Sequence, residues 1–276
     1  MSTTPNDPPV STPLFEIDPS RVVVEQTHIG VIARLQPRMA GVTWRPAPAR
    51  KLGFLIRHGN DLLGIIALTS PVITLECRDR HLGLPSNPSE RGHALINYAD
   101  MSVCVGAQPI SWHWNLGKML AIVATSLGDF WGHQYHEPLL GITTTSYHGR
   151  PSQYDRVMRF LGYTKGHGHV QVDDERFEAM VRWCARRGLP SPNWHVTNAR
   201  MRFIAAYASA SGESVGAVHG AKRGVYYAPV ADPSTRPGLI AAWYRRWGLP
   251  RYERTRNTEA PYQTGVDYDS AQWGLL

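Results

Sequence analysis

The stretch from Asp100 to Val172 constrains the fold more than any other part of the chain. Asp100-Met-Ser-Val-Cys-Val-Gly106 alternates in the two-residue period of a strand. Trp114-Asn-Leu-Gly-Lys-Met-Leu120 then opens a helix predicted to run to about Gly128, with Leu116, Leu120, Val123 and Leu127 on one apolar stripe. Leu139 to Thr145 reads as a second strand, Ser152 to Gly162 as a short helix closed by glycine, and Tyr163 to Val172 as a third strand. Strands alternating with helices predict an α/β fold, a mixed central sheet with helices on both sides. A strand that feeds a helix N-terminus also suits a phosphate-bearing cofactor, because the first amides of a helix lack intrahelical partners.

Around this unit the signals are coarser. Residues 1–20 are rich in Pro, Ser and Thr and predict a disordered lead. Val22 to Val24 reads as a first strand, and Met39 to Arg50, with Pro46 and Pro48, as a loop. Leu52 to Ile56 and Leu63 to Leu68 flank His58-Gly-Asn-Asp61, which predicts a hairpin. Arg78 to Ser89 is polar, carries Pro85 and Pro88, and reads as a linker. Asp173 caps a predicted helix ending at Gly188, Val196 to Ser209 is a second, and Leu239 to Trp247 a short amphipathic third. From Arg251 the tail shows no clear pattern. The predicted organisation is a lead over 1–20, a catalytic core over 21–172, and a basic, helical C-terminal extension over 173–276 packed on that core.

Composition narrows the class. With 42% hydrophobic and 18% charged residues the chain reads as a soluble globular protein. Its longest apolar runs, such as Leu62 to Leu68, are too short to span a bilayer. No secretory signal is visible at the N-terminus. The scattered cysteines Cys77, Cys104 and Cys184 fit a reducing cytoplasm better than a disulfide framework. A net charge of +7, much of it arginine late in the chain and interleaved with Trp and Tyr, points to nucleic-acid contact, with a generic solvated surface as the alternative.

Three constellations could carry chemistry. In Asn115-Leu116-Gly117-Lys118 the asparagine can cap a helix, the glycine lets backbone approach a diphosphate, and the lysine adds charge. In Ser152-Gln-Tyr-Asp-Arg156, Ser152 and Asp155 resemble a capping box, while Tyr154 could protonate a leaving thiolate and Asp155 accept a proton. Thr143-Thr-Thr-Ser-Tyr147 ends a strand in hydroxyls, placing Ser146 and Tyr147 near the expected cleft. Twelve histidines, including the pairs His133/His136 and His167/His169, show no recognised metal spacing, so the metal stays unknown.

These motifs, with Gly64-Ile-Ile-Ala-Leu-Thr-Ser-Pro71, Arg78-Asp79, Leu82-Gly83 and Gly162-Tyr-Thr-Lys-Gly-His-Gly168, resemble the phage Mom family of DNA adenine-modification proteins. They are also similar to the related Druantia-type defence proteins. The resemblance runs from about Gly53 to Val172, and more loosely from His219 to Pro229. It implies a Gcn5-related N-acetyltransferase-like fold and transfer of a carbamoylmethyl-type group to adenine N6, protecting phage DNA from restriction. It places Tyr154 and Asp155 at the active site with Ser146 beside them, and implies an acyl-CoA donor, with an iron-assisted route alongside it. Arg78, Arg80, Arg156, Lys165, Lys222 and Arg223 are the expected contacts with double-stranded DNA, with Arg78, Asp79 and Arg156 structural as the alternative, and Tyr147 or Trp114 is the expected stacking partner of a flipped base. Two further readings stand beside it: an N-acetyltransferase acting on a protein or small amine, and a non-catalytic DNA-binding defence component.

Overall fold

The computed structural model describes residues 11–40, 44, 49–146, 152–164, 174–191, 199–213 and 222–260. In chain order the strands are β1 (Ser11–Thr12), β2 (Val22–Thr27), β3 (Lys51–His58), β4 (Asp61–Thr69), β5 (Tyr98–Gly106), β6 (Gln108–Pro109), β7 (Gly141–Thr145), β8 (Arg159–Tyr163) and β9 (Gly224–Pro229). The helices are α1 (Ile29–Ala40), α2 (Glu76–Leu82), α3 (Pro88–Ala94), α4 (Ile110–Trp114), α5 (Leu116–Ala124), α6 (Gly128–Tyr135), α7 (Asp174–Ala185), α8 (Ala199–Ser211), α9 (Arg236–Trp243) and α10 (Leu249–Thr255), with a π-helical turn over Tyr244–Gly248. β1 and β6 pair with each other, and the other strands form a seven-stranded mixed sheet in the order β2-β3-β4-β5-β7-β9-β8.

Alternation along β3 and β4 explains how the sheet is covered. Phe54, Ile56, Ile66 and Leu68 enter the main core with α4, α5, α6 and α9. Their neighbours Leu55, Ile65 and Ala67 face the other way and pack on Ile32 and Leu35 of α1. A strand buried on both faces reads as a continuous apolar run, as β4 does. The expected hairpin is therefore present, joined to β5 by a third antiparallel pairing.

Several expectations are corrected. α1 is a helix no sequence signal announces, because Gly30 and the internal Pro37 blur its apolar stripe. The stretch read as a polar linker holds α2, closed by Gly83 at φ 63°, and α3, capped by Asn87 with Pro88 in its first turn. β5 does not feed α5 directly: β6 and α4 intervene, and Asn115 sits between the two helices at φ 55° without a side-chain cap bond. The predicted helix over Ser152–Gly162 is a turn followed by β8. Arg156 takes φ 67°, which ends the turn, and Phe160 pairs with Tyr226 of β9. The rest of the predicted third strand lies outside the described residues beyond Thr164.

The stretch from 173 onward does more than pack against the core. It supplies β9, which lies between β7 and β8, and Ile240 and Trp243, which are buried in the main core. α7 and α8 form a small cluster of their own around Phe177, Met180, Phe203 and Tyr207. α10 runs through the tail that showed no pattern, because Tyr252 stacks on buried Trp114 at 4.3 Å and 13°.

Candidate functional site

The centre of the sheet contains, among the described residues, its one parallel pairing, β5 with β7. It extends over Tyr98↔Gly141, Ala99↔Ile142 and Asp100↔Thr143, and then the strands part. A crevice beyond the carboxyl ends of parallel strands is a general place for a ligand. Here the edge of β5 is met by side chains. Thr144 Oγ1 donates to the carbonyl of Met101 at 2.8 Å, and Gln153 Nε2 donates to that of Cys104 at 3.0 Å.

The Asn115–Lys118 segment borders this crevice, and the 152–156 turn lies against it. A Cβ at Gly117 would stand 2.2 Å from Gln153 Oε1, so the space expected to admit a diphosphate is filled by a carboxamide. Lys118 Nζ donates to the carbonyls of Asp155 at 2.6 Å and Gln153 at 3.2 Å. Desolvation lowers its pKa; Asp155 opposes that shift and Arg156 adds to it. Leu116 is buried in the core. As folded, these residues do not offer an acyl-CoA diphosphate room at Gly117.

The turn that carries Tyr154 and Asp155 is folded against Lys118. Tyr154 is 7% exposed. Desolvation raises its pKa well above the ordinary phenol value, with the side chains of Gln153, Thr144 and Cys104 around its hydroxyl. The Cys104 thiol is pushed up to about 12, also by desolvation. Asp155 accepts from the Ser152 amide at 2.9 Å and the Tyr226 hydroxyl at 3.2 Å, so the capping-type role is realised in a turn. Ser146 is buried and pins the start of β9: the Gly224 amide donates to its Oγ at 2.9 Å. Tyr147 lies outside the described residues.

The expected DNA contacts divide. Arg78 has no exposed surface. Its guanidinium pairs with Asp79 at 2.6 Å and donates to the Ile73 carbonyl, while Nη1 is buried without a partner. It is a structural cation and cannot meet a phosphate from there. Trp114, the alternative stacking aromatic, is fully buried and donates to the Phe15 carbonyl at 2.9 Å. Arg80 is exposed and pairs with Glu76. Arg223 is partly buried, its Nε bonded to the Ser146 carbonyl at 3.2 Å. Arg156 and Lys222 are exposed, and Lys165 lies outside the described residues.

Sequence reasoning missed Gln153, which only the crevice makes conspicuous. It also missed Arg246 and Trp247 on the π-helical turn. Arg246 lies over the Trp247 ring at 4.6 Å, and Lys118 Nζ is 5.8 Å from the same ring. Of the histidine pairs, His136 leaves α6 at φ 56° and so is off the face that carries His133, while His167 and His169 lie outside the described residues. Among the described residues no group of three or more His, Cys, Asp or Glu is placed to hold a metal, and no helix is long and apolar enough to cross a membrane.

A relative from Escherichia coli (strain UMEA 4076-1), named Druantia protein DruA, is 29% identical over 191 residues, which is 59% of this chain and 46% of that protein. The chain thus spans about half the length of the curated relative it matches. A family model described as Druantia protein DruA matches residues 32–236, from within α1 across β3 to β9 to the start of α9. The chain belongs to the DruA family of Druantia defence proteins.

Proposed function

We propose that this protein is the DNA-contacting component of a Druantia-type defence system. The observation that carries the reading is a set of exposed cations, Arg156, Arg159, Lys222, Arg245, Arg246, Arg254 and Arg256, none of which is paired with a carboxylate among the described residues. Unpaired cations in such number repel one another, and a polyanion relieves that cost while releasing its counterions. They follow a path of contacts. Arg246 covers Trp247, Trp247 approaches Lys118, and Lys118 is bonded to the carbonyl of Asp155 beside Arg156. β8 then leads from Arg159 to Thr164, whose amide donates to Arg223 beside Lys222.

Fluorescence anisotropy with a duplex across a salt series tests this. Replacing Arg156, Arg159 and Lys222 together by Ala should make the slope of log affinity against log salt shallower by roughly 2 to 3. A wild-type protein that does not bind duplex DNA even at low salt would overturn the reading.

Transfer of an acyl-derived group to adenine is the second reading, favoured by the parting of β5 and β7 beside the start of α5. It also carries the Gcn5-related fold assignment. Gln153 stands against it, because its carboxamide fills the approach to Gly117. Calorimetry with a panel of acyl-CoA compounds separates the cases. Binding by Gln153→Ala would support a site opened by moving that side chain, and binding by neither protein would remove the acyl-CoA donor.

A further inference from the structure

A cleft of about 580 Å³ lies between α2, the loop leading to α3 and the end of β8. This volume falls in the range of small-molecule sites. Leu75 and Cys77 give it apolar wall, Thr74 and Thr164 give it hydroxyls, and Arg80 and Tyr163 are exposed at it. The wall is rigidly built. Arg91, only 13% exposed, donates to the carbonyls of Pro85 and Ser86 and to Thr74 Oγ1, and so ties the loop before α3 to the chain entering α2.

Tyr163 is set at this cleft by backbone geometry. The β8–β9 register shifts between Phe160 and Gly162, and such bulges re-aim the side chains that follow. Gly162 takes φ 141°, and a Cβ there would stand 2.9 Å from Cys77 Sγ, so glycine is required. Phe160 braces the Tyr163 ring edge-on at 5.1 Å, leaving the residue 45% exposed. A half-exposed aromatic ring beside a preformed cleft suits a flat ligand. The lining is polar and of mixed charge: Arg80 is paired with Glu76, and Asp79 and Arg91 lie in the same wall. With DNA as the partner, the flat group that fits such a ring and cleft is a base.

We infer that this cleft receives a single nucleobase extruded from DNA and stacked on Tyr163. The inference rests on DNA being the partner. A paired base reaches such a cleft only by leaving the helix, at a cost that is smaller where the base is mismatched. Wild-type protein should therefore bind a duplex with one central mismatch about tenfold or more tighter than the matched duplex.

Tyr163→Ala and Tyr163→Leu should lose that preference while keeping the wild-type salt slope, and Tyr163→Phe should keep both. The leucine variant retains apolar surface at the position, so it tests the flat ring even if alanine loosens β8. Excess free deoxyadenosine monophosphate should leave the mismatch preference intact. Equal binding of matched and mismatched duplex by wild type would overturn the inference while leaving DNA contact standing. Retention of the preference in Tyr163→Leu would also overturn it, as would its abolition by the free nucleotide, which would assign the cleft to nucleotides in solution. Failure to bind any duplex is the separate failure of the DNA reading.

Discussion

Tyr154, Lys118 and Asp100 are held where their ionised forms are disfavoured. For Tyr154 this favours a structural hydroxyl. Tyr154→Phe should lower stability by about 1 kcal/mol in chemical denaturation and leave duplex affinity unchanged. Asp100 accepts from the Thr143 hydroxyl and from the Val72 amide at 3.0 Å. Desolvation raises its pKa above 3.8, opposed by Thr143, Val72 and Arg78. A carboxyl raised by folding binds its proton more tightly in the native state. Its stabilising contribution is present below the unfolded pKa and is lost as pH rises through the folded one. Wild type should therefore lose thermal stability relative to Asp100→Asn as pH rises from about 4 toward neutrality. A difference between the two melting temperatures that is flat with pH would rule this out. Sequence could single out Lys118, and separately Tyr154 and Asp155, because they stand at joints between predicted elements. It could not show that two backbone carbonyls use the lysine's charge, since that depends on how the turn folds back on α5.

At the scale of elements, the crevice between β5 and β7 is closed by one side chain from the turn. Gly117→Ala should evict the Gln153 carboxamide and leave the Cys104 carbonyl short of a donor. The expected loss is about 1 kcal/mol, since an unmet buried acceptor costs roughly 1–3 kcal/mol and alanine regains up to about 1 in a helix. In Gln153→Ala the same glycine change should be harmless or stabilising. A double-mutant cycle should thus give a coupling of at least about 0.5 kcal/mol, and strict additivity would mean that the two residues do not meet. β3 and β4 were legible as apolar runs on either side of turn residues, and β5 from its alternation. β8 was not, because Ser152 and Asp155 carry the polar pattern of a helix start and only the left-handed Arg156 diverts the chain into a strand. α2 and α3 were hidden by prolines that sit beside or just inside helix ends rather than breaking them.

In the whole molecule, charge and core are threaded through the same C-terminal segment. Trp243 is fully buried and donates to the Asn115 carbonyl, while Arg245 and Arg246 follow directly and are exposed. Trp243→Ala should cost about 3–5 kcal/mol, and because the turn carrying Arg246 is anchored there, DNA affinity should fall with it. Denaturant melts and anisotropy on the same sample check this; full affinity in a destabilised variant would separate the two. The α/β class and the basic surface were legible from pattern and composition. The place of β9 was not, because strand pairing across the 173–223 stretch leaves no local signature.

That placement also orders events on the ribosome. The β2–β5 meander can pair as soon as residue 106 has emerged, since its neighbours follow one another in the chain. Among the described residues β8 pairs only with β9, and β7 has three residues of β5 to hold until residue 229 is free. Between residue 106 and residue 229 of its synthesis the nascent chain therefore carries a sheet half complete, with strand edges open to a chaperone or a neighbouring chain. Stalled chains ending before residue 224 should resist protease over the meander and be cut between β7 and β8, and protection should spread there only once β9 is out.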